Sequence, residues 1–303
     1  MRALQLSWMF GVVLAACGTD DPAGGGDDGP LMPAAPDGGQ QLATQTFTLQ
    51  PGEEKYWCYQ FYSPPSSVGI TRVEQISAPG IHHFALFQAF GRNEPNEPHE
   101  CNTLIKQTWM PIWVSGTGSH ELDLPAGTGF IIAPETQYIV QLHLQNSGDE
   151  PMVIRGGVNL SYQHDTSALT PAGMYALGNY QVNIPAQTTG YTLPVNCAPG
   201  RDMNVFGVFP HMHKLGSKIV LQRTPTGGTQ EMFYKVDPWV FGDAPFDKLE
   251  RHVAPTDTFD LTCTFNNPTT SPVGFGESSD DEMCFFVMFY YPYDHLDGCI
   301  IGG

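Results

Sequence analysis

From residue 45 onward the chain runs in short apolar-alternating stretches, each broken within a few residues by Gly, Pro, Asn or Asp. Such stretches lie at 46–49, 83–87, 130–132, 138–144, 206–209, 218–222, 259–265 and 284–291. Alternation with a period of two puts apolar side chains on one face of a strand, and no sustained helical period competes with it. Many short strands separated by turn signals build sandwiches or jelly rolls. The length of 303 residues suits two domains. The fold class expected is therefore all-β: two tandem antiparallel β-sandwiches, jelly-roll-like, at 45–168 and 169–303. No strong repeat relates the halves.

The first 44 residues have a different character. Arg2 precedes an apolar run over 4–13, too short to span a bilayer and suited to a signal-peptide core. It leads into Leu14-Ala15-Ala16-Cys17, which resembles the lipobox of bacterial lipoproteins. That resemblance implies a signal peptide over 1–17 and lipidation of Cys17. Residues 18–44 then read as a flexible tether rich in Gly, Asp and Pro. No later stretch is apolar for long enough to cross a membrane. The body is expected outside the cytoplasm, held to a bacterial membrane by its lipid alone. Gly18 lacks the aspartate associated with inner-membrane retention, which favours the outer membrane or cell surface.

A net charge of −18 argues against nucleic acid as a partner. Setting Cys17 aside leaves an even number of cysteines for disulfides in an oxidising compartment. Cys58 and Cys101 fall in the first expected domain; Cys197, Cys263, Cys284 and Cys299 fall in the second. Pairing within domains leaves three arrangements open.

Candidate metal ligands stand among the histidines. His211-Met212-His213 follows an apolar run, and on a strand two such imidazoles project from one face about 7 Å apart, close enough to share an ion. Met283 sits between the acidic turn 278–282 and a strand. As a third ligand its soft thioether would favour Cu(I) over zinc or iron. His82 and His83 follow the Pro79-Gly80 turn. Neighbours on a regular strand face opposite ways, so both can hold one ion only if the backbone is irregular there. His143 lies mid-strand with Gln141 on its face, while Tyr138, Val140, Leu142 and Leu144 take the other. Three imidazoles on one copper would suit electron transfer.

The segments HHFALF, LPAGTGF with YIVQLH, AGMY, HMHKLG, and SSDDEMC with MFYYP occur in that order. Together they resemble the copper type II, ascorbate-dependent monooxygenases, the family of the peptidylglycine-hydroxylating and dopamine-hydroxylating enzymes, from about residue 45 to Cys299. The resemblance implies two copper ions facing each other across an open cleft. One, which transfers electrons, would be held by His82, His83 and His143. The other, which activates dioxygen, would be held by His211, His213 and Met283. It also implies hydroxylation of an aliphatic C–H bond with ascorbate or another one-electron donor. Gln141 corresponds to a glutamine placed behind the strand histidine. The implied disulfides are Cys58–Cys101, Cys197–Cys299 and Cys263–Cys284.

Two departures bear on substrate. Peptide-hydroxylating members carry a carboxylate-anchoring arginine where this chain has Phe209, and a pocket tyrosine where it has Val287. The pocket therefore reads as apolar, suited to a hydrophobic small molecule or acyl chain rather than a glycine-extended peptide. Two other readings keep the fold: a copper-binding or copper-sensing lipoprotein without hydroxylase activity, and a surface module that binds protein or glycan. His99, His120, His164, His252 and His295 match no ligand position.

Overall fold

The alternation at 138–144 becomes the strand Gln137–Gln145, with Tyr138, Val140, Leu142 and Leu144 all fully buried on one face. Burying a side chain of this size contributes roughly 1.5–3 kcal/mol, so this face anchors the strand in the main core. Ile139, Gln141 and His143 occupy the opposite face and are buried as well. The strand is thus covered on both sides, and its polar face is already a protected site.

The computed structural model describes residues 32–76, 78–92, 94–101, 108–115, 120–241, 245–276, 278–295 and 297–302. Among the described residues the protein is all-β, with no α-helix and one short 3-10 turn at Thr166–Ala168. The first half contains a sheet ordered Gln40–Ala43, Gly157–Gln163, Val68–Ile76, Thr128–Ile132 and Thr170–Pro171, with Glu121–Asp123 also paired to Val68–Ile76. Its companion runs His99–Glu100, Glu54–Tyr62, Gln137–Gln145, Ile81–Ala89 and Trp109–Ser115. The second half repeats the plan with Asp247–Val253, Met203–His211, Phe285–Tyr291, Gly173–Asn179 and Asp297–Ile301. Beside these stand Thr188–Cys197, Thr258–Asn267, Gly216–Thr224 and Glu231–Val236.

Two boundaries differ from those expected. The segment 18–44 does not stay tether to its end: Gln40–Ala43 pairs with Gly157–Gln163, and Leu42 is fully buried. At the other end of the first half, Thr170–Pro171 pairs with Thr128–Ile132, so sheet membership changes only after Pro171. The apolar core also runs continuously from one half to the other, with Phe130 and Phe289 in ring contact at 6.5 Å.

The disulfides are Cys58–Cys101, Cys197–Cys299 and Cys263–Cys284. Three crosslinks suit an oxidising compartment. Cys17 and the lipobox lie outside the described residues. Among the described residues no helix is long and apolar enough to cross a membrane.

Candidate copper site

Strand register explains how His82 and His83 reach one place. Gly80 turns the chain with a φ of +85°, which favours glycine, and a Cβ there would meet Ile154 and Met152 at 2.7 Å. The strand Ile81–Ala89 then pairs with Gln137–Gln145, His83 opposite His143 and Ile81 opposite Leu144. His82 is the extra residue of a bulge at that shift. A bulge re-aims side chains, and it supplies the irregularity that adjacent ligands need.

The Nδ1 atoms of His82 and His83 are 3.3 Å apart, and those of His83 and His143 are 3.2 Å apart. One ring nitrogen from each histidine falls within 4.8 Å of the others. Three imidazole nitrogens turned toward one another suit a cation better than they suit mutual hydrogen bonding. His143 uses its other nitrogen, Nε2, to bond Glu54 Oε1 at 2.8 Å, and Tyr56 stacks on its ring at 4.2 Å.

The second set is built around a turn rather than along a strand. Met203–His211 ends at His211, opposite Phe285. Met212 and His213 continue past the strand into a turn closed by Gly216 N–H donating to His213 O. The rings of His211 and His213 still meet, with centroids 5.1 Å apart at 88°. Met283 lies two residues before Phe285, the strand partner of His211, and is buried.

Glu282 holds these segments together. Its fully buried carboxylate accepts from the backbone N–H of His213 at 3.0 Å, Leu215 at 2.5 Å and Met283 at 3.3 Å. His213 Nδ1 is 3.1 Å from Asp281 O, a contact in which Nδ1 donates to the carbonyl. Trp239 Nε1 donates to His213 O at 3.2 Å. Cys284, next to Met283, is tied to the strand Thr258–Asn267 by its disulfide.

An open cleft between the two sets was expected; the structure corrects this. His83 and His211 are in ring contact at 5.7 Å, and both are buried. Phe241 lies against His82 at 5.0 Å, His83 at 6.1 Å and His213 at 6.0 Å. Apolar contact between the halves has drawn the two ligand sets into one imidazole cluster.

Burial governs the electrostatics there. It holds His83 and His211 well below the usual imidazole range, and the neighbouring imidazoles push the same way. It lowers His82 and His213 as well, and brings His143 down to about 4 against the opposing Glu54 bond. Neutral imidazoles are the form that binds metal. His211 offers a further sign: both its ring nitrogens are buried without a hydrogen-bond partner. An orphaned buried imidazole is costly unless something else, such as a metal, satisfies it. The three converging imidazoles of His82, His83 and His143 are a donor set that fits copper.

Other site residues divide. Gln141 points its Nε2 at the Cys58–Cys101 disulfide, 3.5 Å from Cys101 Sγ. Phe209 is buried and stacks on His211 at 5.9 Å, with Val287 directly opposite in the neighbouring strand. His99, His164, His252 and His295 bond elsewhere, to Glu97, Gly38, Asp202 and Arg201. Sequence reasoning missed Glu54, Tyr56, Trp239, Phe241 and Glu282. Only Glu282 carried a signal, as the last acidic residue before Met283.

Residues 170–302 match the family model "Copper type II ascorbate-dependent monooxygenase, C-terminal domain". Dopamine beta-hydroxylase of Canis lupus familiaris is 24% identical over 305 aligned positions, covering 88% of this chain and 48% of that protein. DBH-like monooxygenase protein 1 of Homo sapiens is 23% identical over 292 positions, covering 85% of this chain and 48% of that protein. The chain thus spans about half the length of these relatives. Among solved structures, allantoicase aligns with a TM-score of 0.24 at 9% identity, covering 78% of this chain and 81% of that one, too slight to carry an argument.

Proposed function

The chain belongs to the copper type II, ascorbate-dependent monooxygenase family through its residues 170–302, and from that premise we propose that it hydroxylates an aliphatic C–H bond, using two coppers, dioxygen and a one-electron donor such as ascorbate. The observation that carries this reading is the meeting of two chemically different ligand sets at the His83–His211 contact. When bound, copper supplies one-electron transfer and dioxygen activation. His82, His83 and His143 would hold the electron-supplying ion. His211, His213 and Met283 would hold the oxygen-activating one.

The protein's part is to orient these ligands and keep them neutral. Burial lets the imidazoles bind metal without first shedding protons. The Asp281 and Glu282 contacts fix the His213 ring and the Met283 backbone in advance. Phe241 covers rings from both sets and excludes water. Phe209 and Val287 line the strand face leading to His211, and neither can clamp a carboxylate. This supports a hydrophobic small molecule or acyl chain as substrate. We place the protein outside the cytoplasm, tethered by a lipid on Cys17.

Copper analysis and X-ray absorption on the reduced full-length chain, followed by oxygen uptake with ascorbate, test the reading. Two coppers per chain, a sulfur scatterer on one and reductant-dependent oxygen uptake are expected. Copper without oxygen uptake over a broad screen of apolar substrates would favour storage or sensing. Absence of copper would refute the reading.

A further inference from the structure

Glu54 is exposed over about a third of its side chain (34%), yet it bonds the deeply buried His143 Nε2 at 2.8 Å. It opens the strand Glu54–Tyr62, which pairs with Gln137–Gln145, placing Tyr56 opposite His143 and Glu54 opposite Gln145. Glu54 and Tyr56 therefore share the sheet face that carries His143. The carboxylate meets one edge of the imidazole while the Tyr56 ring lies parallel to its plane at 9°. The opposite edge, Nδ1, is turned to His83 Nδ1 at 3.2 Å.

We infer that Glu54 is a positioning residue for the three-histidine copper: it fixes the His143 tautomer with the proton on Nε2, and it strengthens Nδ1 as a donor. The inference rests on the copper reading given above. A carboxylate that accepts from the distal N–H of a ligating imidazole orients the ring and raises its basicity, and loss of such a partner typically costs 10–100-fold in metal affinity. A more basic ligand favours the more highly charged ion. Glu54 therefore stabilises Cu(II) over Cu(I) at this set and makes the reduced ion a stronger one-electron donor. His82 and His83 show no comparable carboxylate bond among the described contacts, so His143 is where the protein sets this property. Tyr56 assists by stacking, without adding charge.

The test is a redox titration of the copper-loaded full-length chain, followed by the Cu(II) spin-resonance signal, for wild type, Glu54→Gln and Glu54→Ala. Gln keeps the side-chain volume and a neutral acceptor; Ala removes both. In Glu54→Ala, Cu(II) affinity at one of the two sites should fall about tenfold with Cu(I) affinity little changed. That raises the potential of that site by about 59 mV, the one-electron equivalent of a tenfold change. Glu54→Gln should lie between, and the other site should not move. Unchanged potentials at both sites in both variants would overturn the role of Glu54 while leaving the copper reading standing. Equal shifts at both sites would overturn it too, since they would mark a general loosening of the fold. A wild-type chain that takes up no copper would overturn the copper reading and this inference together.

Discussion

The His83 and His211 rings meet edge to face, centroids 5.7 Å apart at 71°, although one comes from a strand of the first half and the other from a strand of the second. Each belongs to a different proposed copper. The two sites therefore share a boundary made of protein rather than solvent, and Phe241 covers it from the side.

Removing that cover should expose both sites at once. Phe241→Ala is expected to speed the stripping of copper by a chelator from both ligand sets, because the ring touches His82, His83 and His213. Stopped-flow removal with a coloured chelator measures this. Acceleration at one site only would mean that the ring guards that site alone.

The ligand sets should fail separately. Met283→Ala is expected to abolish hydroxylation and leave one copper per chain on the three histidines. His143→Ala should slow electron supply and spare copper at the other set. Copper content with single-turnover kinetics distinguishes them; turnover retained in Met283→Ala would remove Met283 from the site.

Glu282→Gln is a severe change despite its small size. The carboxylate is acceptor-only and faces several backbone N–H groups, whereas an amide would aim an N–H at N–H donors. A loss of about 1–3 kcal/mol in unfolding free energy is expected, together with weaker copper binding at the methionine-bearing set. Urea denaturation of the metal-free variant reads the first effect. Wild-type stability there would show the carboxylate to be dispensable.

Acid should destabilise the metal-free protein. The histidines of the cluster have folded pKa values depressed below the ordinary 6.5, His143 to about 4. The unfolded chain then binds more protons below pH 6.5, so stability falls as pH drops from 6.5 through 4. His143 alone accounts for about 3 kcal/mol at most. Glu282 has the opposite sign, its folded pKa being raised from 4.5 to about 7 by burial, so its contribution is lost as pH rises through that window. Five imidazoles outweigh one carboxyl, and the net slope is positive. Urea midpoints between pH 7 and 4 check it; a flat profile would contradict the depressed values.

Restoring a cation tests the substrate wall. Phe209→Arg places a guanidinium next to His211 and should lower the Michaelis constant for carboxylate-bearing substrates relative to neutral ones. Equal constants for the two would show that Phe209 does not face the substrate.

Much of this architecture was legible in the residues. Period-two alternation specifies strands because a strand buries every second side chain, so the all-β class and the two faces of Gln137–Gln145 could be read directly. The ligand candidates were legible because His82, His83, His143, His211, His213 and Met283 stand in ordered motifs. Partners beyond the ligands were not. Glu54 is an ordinary acidic residue in sequence and Glu282 shows only as the last acidic residue before Met283; their roles arise from a strand pairing and a turn contact.

The sequence by itself determined the strands, the turn at Gly80 and the residue types offered as candidate ligands, because these depend on neighbours along the chain. The tertiary structure decided that His82 is the bulged residue and that the HxH pair straddles a strand end. It also decided that the two sets touch at His83 and His211 instead of facing across open solvent. The physical reason is that apolar burial between the halves is non-directional. Phe130, Phe289 and their neighbours specify that the halves pack, while the spacing of the imidazoles follows from how closely that packing draws them together.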